Sequence, residues 1–540
     1  MASIFDTIYA HKDSNKVAIY YKKHSITYKY FCNETLRLVT FFKTIGIKKR
    51  DIVTLILPNI PECIFSIYAL NYIGAKINIL HFLSSFNIIN SKMDILKSNY
   101  VILLDSEYIK NKEFINKSKN NFIFVNPTNY ENIFKKIIYR FKIKKPNSKL
   151  SNVFNLSDYK KYNIFDTKNN KIDNLDNKET SFYIHSGGTT SDPKIIELSN
   201  NAVEFSAINL NKHVTKKDIS SVSFSLIVPV FHCFGLCTSM HNALGNNASL
   251  YVVSKFNTEE IVKAINDNKL NSIIGVYIVF KKLLEAFKKT NCNLDNLNEC
   301  FIGSDSHNIT FITEFNDYLK SKNAKNAILA EGYGLTETAG VVSTNTINNY
   351  KLGSVGKPVG TVKVKIIDEN NNPLECNKIG EICIAGDTIM NCYYDSEESN
   401  QETILFINNE KYIKSGDLGY INEEGYLYFE GRKKRIYKIA GITIFPVEVE
   451  NIVQNLKEIV SDASLEFIDN KSEKPYLVLF VVKTCTCNVK TEAEMKDLIF
   501  SEIKKNTIKY NWPKDIIFID SLPRTTLGKV DHKKLISYIS

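Results

Sequence analysis

Ser186-Gly187-Gly188-Thr189-Thr190-Ser191-Asp192-Pro193-Lys194 packs two glycines, four hydroxyl side chains and a lysine into nine residues. Glycine lets a backbone approach a ligand closely, and its amide hydrogen can point at an anion. The hydroxyls and the lysine add further donors. A loop that wraps phosphates needs this composition. The run lacks the G-x-x-x-x-G-K-[ST] order of a P-loop, so kinase- or GTPase-type chemistry is not implied. Taken alone, it also reads as a plain surface loop. What flanks it decides between the two.

Upstream, short apolar runs alternate with helix-period segments. Residues 53–57 (VTLIL) read as a buried strand, residues 61–72 as a helix, 74–80 as a turn and strand, and 100–105 as a strand ending in a carboxylate. Such alternation predicts parallel sheets covered by helices. Residues 167–180 are almost wholly polar and read as an exposed connector. From about Gly353 the strands become short and turn-separated, at 362–367, 380–385, 411–415 and 426–430, which predicts an antiparallel β subdomain. After the charged stretch 431–435, a helix at 446–456, a strand at 476–482 and a helix at 492–508 predict an α+β lid of about a hundred residues.

With 540 residues the chain exceeds one ordinary core, so two or more domains are expected. Hydrophobic residues make up 44% and charged residues 24%, a globular composition. The net charge of +11 is spread along the chain and favours anionic small molecules or weak surface contacts with acidic partners; no nucleic-acid partner is expected. The densest basic stretch, residues 135–149, has Ile137, Ile138, Tyr139, Phe141 and Ile143 interleaved. It reads as a solvated, poorly constrained connector, with a membrane-surface helix as the competing reading. Eleven cysteines show no metal-ligand spacing and read as reduced thiols of a cytoplasmic protein. The N-terminus lacks the apolar segment of a signal peptide. The most apolar stretch, 52–80, is interrupted by Pro58, Asn59, Pro61 and Glu62 and is not expected to span a bilayer, leaving peripheral membrane contact at most.

Six motifs follow the opening loop in order. They are Pro229-Val230-Phe231-His232-Cys233-Phe234-Gly235, Tyr333-Gly334-Leu335-Thr336-Glu337-Thr338, Tyr412-Ile413-Lys414-Ser415-Gly416-Asp417, Gly431-Arg432, residues 441–450 (GITIFPVEVE), and Leu522-Pro523-Arg524-Thr525-Thr526-Leu527-Gly528-Lys529-Val530. Together they resemble the ANL adenylating superfamily of acyl- and aryl-CoA synthetases, peptide-synthetase adenylation domains and luciferases. Residues 51–53, 58–62 and 74–75 extend the resemblance to the N-terminal part.

The resemblance implies an α/β protein. A large N-terminal domain of two doubly wound sheets plus a small β-barrel-like subdomain would occupy residues 1–432, with the β-rich part at about 345–431. A hinge at 433–435, pivoting on Lys434, would lead to a small mobile α+β lid at 436–540. The implied reaction has two halves. A carboxylate attacks the α-phosphorus of ATP and displaces pyrophosphate; then coenzyme A takes the acyl group and AMP leaves. The resemblance assigns Ser186, Gly187, Gly188, Thr189, Thr190 and Lys194 to the phosphates and Glu337 to Mg²⁺, a metal that favours oxygen ligands and nucleotide phosphates. Tyr333 and Gly334 would lie along adenine and Thr336 at the α-phosphate. Asp417 would accept the ribose hydroxyls beside Arg432, and Gly303-Ser304-Asp305 would border adenine and the acyl carboxylate. Lys529 would stabilise charge in the first half-reaction. His232 would stand between acyl tunnel and nucleotide, and Ala440-Gly441 would let the CoA arm pass.

Several positions depart from the family pattern. Ser191, Ile195 and Asn200 alter the surroundings of the loop. Tyr277 replaces a common proline and Ser304 a frequent glycine, changes expected to reshape the acyl pocket. Cys392 replaces a glycine before Tyr393, and Arg435 a frequent acid after the hinge. None removes a residue with a direct chemical role. The leading reading is a fatty or aryl acid–CoA ligase, as a monomer or a homodimer. An acyl-AMP ligase that loads a carrier protein is the alternative, and a non-catalytic nucleotide- or acyl-binding protein is a third reading, which intact Glu337, Asp417 and Lys529 oppose.

Overall fold

A computed structural model describes residues 3–143, 150–167, 176–186, 194–214, 218–290, 292–303, 309–435, 437–439, 442–468, 475–484, 491–525 and 529–539. The chain is α/β and its largest sheets are mixed. One sheet of eight strands runs in the order Cys392–Tyr393, Ile195–Ser199, Thr180–His185, Lys76–Ile79, Ile52–Ile56, Tyr100–Leu104, Asn121–Val125, Val153–Asn155. From Thr180–His185 to Val153–Asn155 every pairing is parallel. The two strands at the other edge are antiparallel. The apolar runs read as buried strands therefore lie in the parallel part, where both faces are covered.

The helix Pro61–Ile73 shows why this sheet is sealed. It opens on proline at its first turn and ends at Gly74, whose φ of 83° is the left-handed cap that glycine adopts without strain. It is apolar around nearly its whole circumference and buried at every residue but Tyr72, as expected of a helix inside a core.

A second set of strands carries the remaining motifs. Val17–Tyr21, Ser249–Val252 and Ser223–Leu226 pair in parallel. A parallel bridge from Phe224 to Ser272 continues them towards Ile274–Gly275, Cys300–Ile302 and Leu329–Leu335. Gly340–Thr344 then returns antiparallel to Leu329–Leu335. The β-rich part is an antiparallel sheet of Lys363–Ile367, Gly380–Ala385, Glu410–Ile421 and Ile404–Ile407, with Leu427–Arg432 paired to Glu410–Ile421. Beyond it, Val460–Ile468, Tyr476–Lys483 and Asp515–Ile519 form a three-stranded sheet covered by Pro446–Gln454 and Glu492–Asn506. Residues from Ile444 to Ile516 build their own apolar cluster there, separate from the main core.

One reading of the sequence is corrected. The basic stretch is not an unconstrained connector over its first part: Ile133–Lys142 is an α-helix. Asn132 caps it by accepting from the Lys135 amide at 2.9 Å. Lys135 also faces Glu131 one turn back. Residues 144–149 lie outside the described part, as does most of the polar connector at 168–175. Among the described residues, no helix is long and apolar enough to cross a membrane, and the nine described cysteines are free.

Candidate active site

Leu329–Leu335 delivers Tyr333 and Gly334 to a cavity of about 1120 Å³, and the turn that follows adds Thr336 and Glu337. Gly334 is required by close approach: a Cβ there would stand 1.9 Å from the Gly340 carbonyl oxygen. Asp417 enters from the neighbouring antiparallel sheet. Arg432 is its direct cross-strand partner, with Nε 3.5 Å from Oδ1. The Tyr333 hydroxyl donates to Asp417 Oδ2 at 2.7 Å. Asp417 is buried; burial pushes its carboxyl above the ordinary range, while Arg432, Tyr333 and Lys529 pull the other way.

His232 stands two residues before a π-helix, Phe234–His241, whose entry turn is crowded enough that a Cβ on Gly235 would meet the Pro229 carbonyl oxygen at 2.2 Å. Its ring lies 4.6 Å from Phe231, which is 4.4 Å from His81. His232 Nε2 is buried without a hydrogen-bond partner in the structure. Burial, then the charges of Lys529 and His81, push the imidazole down to about 3, so it is neutral at physiological pH. Lys529 itself reaches the cavity from the C-terminal segment. The Thr525 amide donates to its carbonyl at 2.8 Å, and Arg524 forms an antiparallel bridge with Val530.

The phosphate-loop candidates are only partly described. Ser186 and Lys194 close the base of the loop: the Ser186 amide donates to the Lys194 carbonyl at 2.9 Å, and the Lys194 amide to Ser186 Oγ at 3.0 Å. Gly187, Gly188, Thr189 and Thr190 lie outside the described residues, as do Ser304, Asp305, Ala440 and Gly441. The other eleven candidates apart from the hinge, which are Ser186, Lys194, His232, Gly303, Tyr333, Gly334, Thr336, Glu337, Asp417, Arg432 and Lys529, all line the one cavity. Its remaining wall includes apolar residues such as Ile227, Phe234, Phe256, Val276, Val279 and Ile302.

Two residues of this cavity escape a motif-based reading. The Tyr393 hydroxyl donates to Glu337 Oε1 at 2.8 Å, and the Lys194 ammonium lies 4.5 Å from the Tyr393 ring centre. Tyr393 thus joins the loop lysine to the acid. The aromatic pair Tyr393-Tyr394 after Cys392 was the available signal. Glu331 stands two residues before Tyr333, is 3% exposed and lines the cavity. Asn345 donates to its carboxyl at 3.3 Å. Burial pushes this carboxyl up to about 8. Tyr277, expected in the acyl pocket, instead packs edge-on against Phe311 at 4.8 Å, while its neighbours Val276 and Val279 face the cavity.

The cavity can hold an extended polyanion beside an apolar group. Glu337 fits a single-carboxylate contact to a divalent cation. Among the described residues no cluster of three ligand-type side chains exists, so such a cation would take its other ligands from a bound phosphate chain and water.

The family model described as AMP-binding enzyme matches residues 7–394. A 2-succinylbenzoate–CoA ligase of Oceanobacillus iheyensis is 26% identical over 516 residues, covering 94% of this chain and 93% of that protein. A long-chain-fatty-acid–CoA ligase of Bacillus subtilis is 24% identical, with 97% and 91% covered. Among solved structures, ATP-bound MatB from Rhodopseudomonas palustris superposes with a TM-score of 0.84 at 18% identity, covering 100% of this chain and 98% of that one. The o-succinylbenzoate CoA synthetase MenE from Bacillus subtilis with its acyl-adenylate reaches 0.76 at 20%, covering 99% and 98%.

Glu331 generates a prediction about stability. Between the ordinary glutamate range and pH 8, the folded chain keeps a proton on Glu331 that the unfolded chain has released. The folded state is then the one binding more protons, so stability falls as pH rises through that window. Glu331→Gln removes this dependence. Its melting temperature should rise relative to the parent by more at pH 9 than at pH 5. A pH-independent difference in thermal melts would refute the assignment.

Proposed function

The chain belongs to the AMP-binding enzyme family, and on that premise we propose that it is an ATP-dependent, AMP-forming carboxylic acid–CoA ligase. One observation carries the reading: eleven separately placed candidate residues converge on one cavity, in a chain whose near full-length relatives are named acid–CoA ligases.

In the first half-reaction the acid's carboxylate oxygen bonds to the α-phosphorus of ATP, the bond to the bridging oxygen breaks, and pyrophosphate leaves. In the second, the CoA thiol gives up its proton to solvent, its sulfur bonds to the acyl carbon, the bond from that carbon to the AMP phosphate oxygen breaks, and AMP leaves. Lys194 and the loop from Ser186 hold the departing phosphates. Glu337, positioned by Tyr393, holds Mg²⁺, which when bound neutralises phosphate charge. Tyr333 and Gly334 flank the adenine. Asp417 accepts the ribose hydroxyls, its carboxylate already oriented by Tyr333 and Arg432. Thr336 contacts the α-phosphate and Lys529 meets the charge that develops there. Gly303 borders the nucleotide, at the mouth of the apolar wall. His232 stays uncharged at the boundary between nucleotide and acyl group, so it leaves the cationic role to Lys529. The apolar wall suits an aliphatic or aromatic acyl group.

The proposed division is an N-terminal domain at 1–432, a hinge at 433–435 and a lid at 436–540. The ion pairs on either side of Lys434 support it. Lys433 is held back by Glu381 at 2.9 Å, on the antiparallel sheet. Arg435 is held forward by Glu450 at 2.7 Å, on the first lid helix. Lys434 stands between two anchored neighbours, where a dihedral change turns one body against the other. Lys529 serves the first half-reaction in this pose. Rotation would carry it away and bring in Ala440-Gly441 for the thiol.

The direct experiment measures AMP release over a panel of carboxylic acids with and without CoA. An acyl-CoA product that needs both ATP and CoA is expected. Adenylate that passes only to a carrier protein would overturn the CoA reading. Lys529→Ala should slow adenylation by ~100- to 1000-fold and leave thioester formation from supplied acyl adenylate much less affected; equal losses would refute its role. Lys434→Pro fixes φ. Single-turnover assays should show adenylate still forming while transfer to CoA falls at least tenfold, and unimpaired thioester synthesis would place the pivot elsewhere.

A further inference from the structure

The helix Ile133–Lys142 is mounted the wrong way round for a helix of a soluble core. Residues advance by about 100° each along a helix, which places Ile133, Phe134, Ile137, Ile138 and Phe141 within an arc of about 140°. A surface helix ordinarily turns such a stripe inward. Here all five are exposed: Phe134 is 74% and Phe141 87% accessible, and no residue of the helix is buried. The inward contact comes from Tyr139, nearly opposite the stripe, whose hydroxyl donates to the Asp105 carboxylate at the end of the strand Tyr100–Leu104.

The root of the helix is fixed as well. Asn129 donates to Glu62 at 2.8 Å, and the Tyr130 ring packs edge-on against Tyr21 at 5.8 Å. Glu131 pairs with Lys22 and Lys135. The apolar face is therefore held outward by a built attachment.

The flanks of the stripe are basic. Lys136 and Arg140 border one side, Lys135 and Lys142 the other, and the sequence has no acidic residue between Ile133 and Leu150. A second copy of this chain seated on the same face would bring these cations against their own equivalents. An anionic bilayer surface meets both requirements, with acyl chains for the stripe and headgroup charge for its borders. We propose that Ile133–Lys142 is a membrane-docking helix that seats the protein on anionic lipid surfaces. This docking is independent of which acid the cavity takes.

The test uses the full chain and flotation with vesicles of phosphatidylcholine alone or with about 30% phosphatidylserine, a content chosen to give a strongly negative surface potential. The parent should float with the anionic vesicles, at least tenfold better than with neutral ones, and lose binding as salt rises. Phe134→Ser combined with Phe141→Ser should abolish flotation, and so should Arg140→Glu combined with Lys142→Glu. Because these side chains are exposed, melting temperature and AMP release should match the parent. No preference for anionic vesicles, or undiminished flotation of either double variant, overturns the proposal. So does a parent dimer in sedimentation velocity that the Phe134/Phe141 variant dissolves, without vesicle binding by the parent.

Discussion

Asp417 is the point on which the site turns. Its carboxylate is buried between two sheets, taking the Tyr333 hydroxyl from one and facing Arg432 from its own. A buried carboxylate without partners would cost several kcal/mol or take up a proton. Tyr333 and Arg432 offset that cost only if the sheets stay in register. The next residue after Arg432 is Lys433, tied to Glu381 on the same antiparallel sheet. The chain therefore leaves the antiparallel sheet beside this ion pair.

Desolvation sets the charge pattern of the cavity. It drives His232 to the neutral form and raises Glu331 and Asp417 towards theirs. Cationic side chains such as Lys194, Arg432 and Lys529 line the same cavity beside the carboxylates of Glu337 and Asp417. A low-dielectric wall makes each of them act over a longer range than it would in water. Glu337 keeps a defined orientation through Tyr393, which also lies beneath Lys194. Acid, phenol and lysine form one unit, although the acid and phenol are 56 residues apart in the chain.

Departures from the family pattern are absorbed by packing. Arg435, where an acid is frequent, finds Glu450 and the Leu465 carbonyl. Tyr277 becomes the first residue of the helix Tyr277–Lys289 and turns onto Phe311. Tyr277 does not line the cavity, whose wall there stays apolar at Val276 and Val279, whereas Arg435 does line it, with its guanidinium turned onto Glu450.

Local backbone chemistry was legible from the residues alone. The strand at Ile52–Ile56, the helix that starts at Pro61 and stops at Gly74, and the antiparallel strands after Gly353 follow from periodicity and from proline and glycine positions. The order of the motifs identified the residues that would share a cavity. Side-chain partners on different elements were not legible: Tyr393 for Glu337, Asn345 for Glu331, Glu450 for Arg435. Such pairs depend on which segments the fold brings together, and no local pattern encodes that. The helix at 133–142 makes the division plain. Its sequence displays an apolar stripe bordered by lysine and arginine, but a stripe reads the same whether it faces a core or the solvent. Tyr139 on Asp105 decides the direction, and that contact exists only once the chain has folded.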